Sequence, residues 1–233
     1  MAIVHARRVT PRTTDADAGG GRLRGRIRRR VIAARYDRFT ARLEAGLMRD
    51  VRAQLLSGLK GPVLEIGAGT GANLAHYPDS VTTLDLVEID PYMAARLRPN
   101  MPERSELILG TAESLPHGDG EFAAVVSTLA LCSVRDLDAT LAEVRRVLRP
   151  GGQLVFAEHV RSARPKWAAL QDAFTPAWRW AFVGCCPNRD TTKTMEQAGF
   201  DVEESGSVEF GRRSFICDLK WGRATPREHR SPL

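Results

Sequence analysis

An apolar run at residues 63–66 breaks into Gly67-Ala68-Gly69-Thr70-Gly71, and this junction constrains the chain more than any other. Glycine lacks a Cβ, so the backbone can turn sharply there and come close to a ligand. A strand, a glycine-rich turn and then a helix form the nucleotide-binding opening of a doubly wound sheet. Glu65 stands two residues before the first glycine. Placed near the ligand, its carboxylate suits a cation better than a pyrophosphate. The spacing Gly67-x-Gly69-x-x-Ala72 also satisfies the dinucleotide pattern, so the turn alone leaves the nucleotide open.

The rest of the chain alternates strands and helices. Strands are expected at residues 63–66, 81–87, 106–109, 122–128 and 153–160, and helices after Gly71 and at residues 91–97, 137–148, 165–182 and 189–198. Such alternation predicts an α/β fold with a mostly parallel sheet. The last two strands, residues 200–204 and 215–221, have no clear crossover helix between them. The expected architecture is a doubly wound, seven-stranded, Rossmann-like sheet with an antiparallel C-terminal edge hairpin. Ahead of it, Val31, Ala34, Phe39, Leu43, Leu47, Val51 and Leu55 recur at helical spacing. That segment would pack on the sheet or cover the ligand, with Tyr36 and Phe39 as packing residues.

The net charge of +6 is concentrated at one end. Residues 1–30 hold nine Arg and two Asp, so the remainder is close to neutral. This pattern predicts a disordered basic arm (1–30), a globular domain (31–221) and a polar tail (222–233). It argues against a nucleic-acid-binding surface and allows contact between residues 22–30 and an acidic membrane. No apolar run approaches the ~20 residues a membrane-spanning helix needs, so a cytoplasmic protein is expected. Cys132, Cys185, Cys186 and Cys217 form no C-x-x-C pair, which indicates neither a zinc motif nor a redox motif.

Two further features refine the ligand. An acid about 20 residues beyond the turn would hold ribose hydroxyls. Glu88, followed by Ile89, occupies that place, with Asp90 as the alternative. Gly110-Thr111-Ala112-Glu113-Ser114-Leu115-Pro116 follows the third strand and could face an adenine ring, with a helix or turn cap as the lesser reading of Glu113. Together with residues 64–71, 122–127 and 146–152, these motifs resemble the class I S-adenosylmethionine (SAM)-dependent methyltransferases over residues 31–220. The resemblance implies SAM as cofactor and S-adenosylhomocysteine as product. It implies that Gly67, Ala68, Gly69 and Gly71 wrap the methionyl part, Glu88 the ribose, and Ala112 and Glu113 the adenine. Thr128 and Leu129 would face the methionine and the acceptor.

The fourth-strand exit lacks the Asn/Asp-Pro-Pro-aromatic motif of enzymes that methylate base amino groups. Residues 128–134, Ala157-Glu158-His159-Val160, and the stretch from Asp172 through Pro176-Ala177-Trp178 to Gly184-Cys185 resemble the family that methylates small alkyl thiols. A looser resemblance links the chain to ubiquinone and menaquinone methyltransferases and to phospholipid N-methyltransferases. These likenesses imply a small, apolar acceptor, plausibly a thiol. A membrane-surface lipid or quinone-precursor enzyme is the first alternative, and a non-catalytic SAM-binding or RNA-associated module the second. His159, at a strand end, is the candidate base; Cys132 and Cys185 could touch the acceptor. Among Trp167, Phe174, Trp178, Trp180 and Phe182, half should be core and the others could wall its pocket. The sequence carries no signal of oligomeric state.

Overall fold

The computed structural model describes residues 19–182, 184–209 and 217–227. The arm before residue 19, Phe215 and the end of the tail lie outside these, as do the side chains of Phe39 and Leu43. The elements run α1 (Gly19–Leu43), α2 (Arg49–Leu56), β1 (Gly61–Ile66), β2 (Val81–Glu88), α3 (Pro91–Leu97), β3 (Ser105–Leu109) and β4 (Phe122–Thr128). Then follow α4 (Leu137–Val147), β5 (Leu148–Val160), α5 (Pro165–Ala181), α6 (Thr191–Gln197), β6 (Phe200–Val208) and β7 (Asp218–Pro226). One seven-stranded sheet has the order β3-β2-β1-β4-β5-β7-β6. β7 alone runs antiparallel, between β5 and the edge strand β6. The chain reverses its direction of growth between β1 and β4, which opens a crevice at the strands' C-terminal ends.

Side-chain parity along β1 divides the core. Val63 faces a cluster with Met48, just before α2, and with Val51, Leu55 and Leu56, the apolar stripe of that helix. Leu64 and Ile66 face the opposite cluster, with Leu137, Leu141, Val144 and Val147 of α4. Central parallel strands are covered on both faces and so read as unbroken apolar runs. α1 packs against α3. Asp37 joins it to the glycine turn and to α3, accepting from the Thr70 hydroxyl at 2.6 Å and pairing with Arg96.

Three sequence expectations are corrected. The basic segment is helical from Gly19, so no boundary falls at residue 30. Arg is a good helix former, and Arg28 ties the helix down by sitting over the Trp180 ring, 5.3 Å from its centroid. The domain also does not end at Trp221, because residues 222–226 belong to β7. Gly222, which reads as the start of a tail, permits close strand approach: a Cβ there would lie 2.1 Å from the Glu203 carbonyl oxygen. Finally, Gly71 is followed by one 3-10 turn, Leu74–His76, in place of a helix. The side chain of Asn73, which would sit in that helix, is buried in a polar cluster beneath the sheet end.

Candidate active site

A cavity of about 1440 Å³ lies between the C-terminal ends of β1, β2, β4 and β5 and the helices α1 and α5. Gly67, Gly69, Glu88, Ile89, Ala112, Glu113 and Leu129 line it. The Glu88 carboxylate accepts backbone N–H groups from Gly69 and Asp90, both at 2.7 Å. Burial pushes its pKa up against these hydrogen bonds. Asp90, the alternative, spends Oδ1 on the Tyr92 and Met93 N–H groups as the N-cap of α3. Glu113 reaches the wall, yet it also accepts from the backbone of Arg135 and Asp136, as a turn cap would. The turn that carries it is clamped from α4: Glu143 accepts the Leu115 N–H, and Arg146 donates to the Leu115 and His117 carbonyls.

Glu65, Ala68, Gly71 and Thr128 are not on the cavity wall. For Glu65 the reason is parity: it shares the face of Val63 and points toward α2. Its carboxylate accepts from Asn73 at 2.9 Å and Tyr77 at 2.7 Å. Arg52, buried on α2, donates to Asn73 and to the Thr128 hydroxyl, the latter at 2.7 Å. Thr128 is thus turned into the same cluster. Burial raises the Glu65 pKa to about 7, against the Tyr77 hydrogen bond and the Arg52 charge. Arg52 went unnoticed in the sequence; its signal is a cation between Val51 and Leu55 on an apolar stripe.

Glu158, at the other end of the cavity, holds the turn that follows β4. It accepts from the Ser127 hydroxyl at 2.7 Å and from the N–H groups of Ala130, Leu131 and Cys132 at 3.0–3.1 Å. Leu129 enters that turn with φ 59°, a left-handed conformation that is rare for a branched side chain and marks a constrained position on the cavity wall. Nothing in the sequence announces it. Gly67 abuts this turn: a Cβ on Gly67 would sit 2.4 Å from the Ala130 Cβ.

The acceptor candidates meet beside it. His159 Nδ1 lies 3.7 Å from Cys132 Sγ and 3.3 Å from Cys185 Sγ, and the two sulfurs are 3.6 Å apart. His159 and Cys185 line the cavity, while Cys132 is fully buried behind them and cannot itself touch a ligand in the cavity. Burial works against the His159 cation, but the Cys132 hydrogen bond and the nearby Cys132 and Glu158 charges leave its pKa raised. Of the aromatic stretch, Trp178, Trp180 and Phe182 reach the cavity, together with Pro176. Phe174 is exposed. Trp178 stacks on Phe182 with centroids 3.8 Å apart, and its buried Nε1–H has no acceptor among the described residues.

The residues present fit a nucleoside ligand. Two glycines with positive φ bare the backbone at one wall, and a buried carboxylate, Glu88, stands at the end of β2. Residues 64–156 match the methyltransferase domain family. The matched stretch covers the glycine turn, Glu88 and the whole of β4, the elements that form this end of the cavity.

Among similar proteins, the human thiol S-methyltransferase TMT1B is 42% identical over 62% of this chain and 63% of its own length. A demethylmenaquinone methyltransferase of Beutenbergia cavernae is 33% identical over 60% of this chain and 58% of its own. The chain therefore spans less than two-thirds of these relatives. The crystal structure of a SAM-dependent methyltransferase from Thermotoga maritima superposes with a TM-score of 0.61 at 23% identity, covering 86% of this chain and 99% of that one.

Proposed function

We propose that the protein transfers the methyl group of SAM to the sulfur of a small, apolar thiol. The observation that carries this reading is the continuity of one cavity. A glycine and carboxylate cradle forms one end, and an aromatic wall with His159 and Cys185 forms the other. The names of its relatives support the thiol. SAM supplies a methyl group already activated on a sulfonium. The protein has to align the acceptor with that carbon and keep water away. Glu88 would accept the ribose hydroxyls, and the backbone at Gly67 and Gly69 would let the methionyl part lie close. Pro176, Trp178 and Phe182 would desolvate the acceptor, which strengthens a thiolate as a nucleophile. The test is incubation with SAM and a panel of alkyl thiols, phenols, quinols and amines, reading S-adenosylhomocysteine. Turnover confined to the quinols would transfer the assignment to the menaquinone-like reading.

A peripheral encounter with acidic lipid belongs to the same proposal. Ile27 and Val31 are exposed one turn apart on α1, among Arg26, Arg29 and Arg30, and Trp180 beside this helix is 69% exposed. Apolar side chains set in a basic face suit an anionic bilayer surface, near which an apolar acceptor would concentrate. Co-sedimentation with phosphatidylserine vesicles should exceed that with neutral vesicles and fall with salt. Equal pelleting with both would reject the contact.

A further inference from the structure

We propose that Cys132, His159 and Cys185 form a thiolate–imidazole site for a zinc-type divalent cation, with its open position facing the cavity and taking the acceptor's sulfur. The last part rests on the thiol reading above; the cation site does not. The three donors come from the turn after β4, the end of β5 and the segment after α5, so no sequence spacing could reveal them.

The geometry is that of a coordination shell. With zinc–sulfur bonds of ~2.3 Å and zinc–nitrogen bonds of ~2.0–2.1 Å, a tetrahedron has edges of ~3.8 Å between sulfurs and ~3.6 Å between sulfur and nitrogen. The edges here are 3.6 Å between sulfurs, and 3.7 and 3.3 Å between sulfur and nitrogen. A single nitrogen, Nδ1, faces both sulfurs. One Nδ1–H can satisfy one sulfur well, whereas a cation at the centre satisfies all three donors. Two thiolates and a divalent cation are neutral in sum, as a buried setting demands.

The donors are held from outside. Glu158 accepts the Cys132 N–H, and Cys186 donates its N–H to the Cys132 carbonyl at 2.8 Å. Gln171 of α5 is buried and donates to the carbonyls of Val160 and Pro187, one residue beyond His159 and two beyond Cys185. Thr191 donates to the His159 carbonyl. Supports of this kind fix ligand orientation at metal centres. Three protein ligands with a fourth position open is the arrangement of catalytic zinc, and a thiol bound there gives up its proton. In the proposed step the acceptor's proton leaves to solvent as its sulfur coordinates. A lone pair of that sulfur then forms the bond to the methyl carbon. The carbon–sulfonium bond breaks with its electron pair staying on the donor sulfur. A thioether and S-adenosylhomocysteine result, both neutral at sulfur, and the cation's oxidation state does not change.

The experiment uses the full chain, stripped of metal in thiol-free buffer and titrated with Co²⁺. One equivalent should bind with thiolate-to-cobalt charge-transfer absorption and the intense visible bands of a tetrahedral site. Added 2-mercaptoethanol should raise the charge-transfer intensity from that of two thiolates to that of three. Cys185→Ser should weaken Co²⁺ binding by more than the ~10–100-fold that loss of an outer support costs. Cys185→His should retain binding with the intensity of one thiolate, which separates lost ligation from lost folding. Absence of charge-transfer absorption at one equivalent, or equal affinity in Cys185→Ser and the parent, overturns the site. Cobalt ligation without methylation of any thiol would leave the site standing and remove the acceptor reading. Equal thiol methylation by metal-free and zinc-loaded protein would remove the catalytic role alone.

Discussion

Two buried carboxylates stand behind the two ends of the cavity, and they are built differently. Glu158, under the acceptor end, is held by the Ser127 hydroxyl and by three backbone N–H groups of the turn after β4. Glu65, under the donor end, is held by side chains, Asn73 and Tyr77, with the Arg52 charge nearby. Burial raises the pKa of both. The first carboxylate shapes a stretch of backbone, while the second belongs to a network that can change its protonation without moving the chain. The acceptor end should therefore fail structurally when its carboxylate is lost, and the donor end should respond to pH.

The largest effect is expected at Glu158. Glu158→Ala leaves the Ala130 and Cys132 N–H groups and the Ser127 hydroxyl buried without their acceptor, and the Leu131 N–H with only the Ser127 oxygen at 3.3 Å. Each such group costs roughly 1–3 kcal/mol, so a loss of about 4 kcal/mol or more is expected in urea unfolding. Glu158→Gln keeps one carbonyl oxygen and should lose about half as much. A loss under 1 kcal/mol in the alanine variant would show that the turn does not depend on this carboxylate.

Glu65 comes next, with the sign set by its raised pKa. The folded protein holds the Glu65 proton up to about pH 7, while the unfolded chain releases it near the ordinary value of 4.5. Between those values the native state binds more protons, so this group's contribution to stability falls as pH rises and is flat above about 7. Glu65→Gln, which mimics the protonated acid, should match the parent near pH 5. At pH 8 it should be more stable by about 3 kcal/mol. Chemical denaturation at the two pH values measures this; an equal difference at both would mean that Glu65 stays ionised.

Gly67→Ala tests the seam where the two ends touch. The new methyl group would meet the Ala130 Cβ, and the residue holds φ 68°. Overpacking costs roughly 1–3 kcal/mol, and a left-handed alanine adds to it. A destabilisation of about 2–3 kcal/mol is expected, and Ala130→Gly in the same chain should recover the packing share. No recovery would locate the whole cost in the backbone.

The same contrast explains which parts were legible in the sequence. The glycine turn and Glu88 were readable because local spacing along one strand–turn unit encodes them, and the parallel sheet because strand and helix periods alternate. Glu65 was misplaced because a motif gives a residue's position in the chain, while parity on β1 decides which side of the sheet it faces. The missing helix after Gly71 has a related cause: Asn73 is drawn into the Glu65 cluster from a distance. Cys132, His159 and Cys185 could be named singly, yet their meeting depends on how the segment after α5 returns to the turn after β4.

The smallest effect separates Glu88 from Asp90 within the donor end itself. Glu88→Ala should weaken SAM binding by about 1–3 kcal/mol, through lost hydrogen bonds to a charged acceptor. Asp90→Ala should leave SAM affinity nearly unchanged and cost about 1 kcal/mol of stability, because its carboxylate caps α3. Titration calorimetry with SAM, read beside unfolding of the same proteins, gives both quantities. The reverse pattern, affinity lost with Asp90 and kept with Glu88, would move the ribose contact two residues along the chain. Equal losses of affinity would point to the Gly69–Glu88–Asp90 backbone bonds as the common element. Glu88 would then act by holding the glycine turn, as Glu158 holds the turn opposite, and the two ends of the cavity would be alike after all.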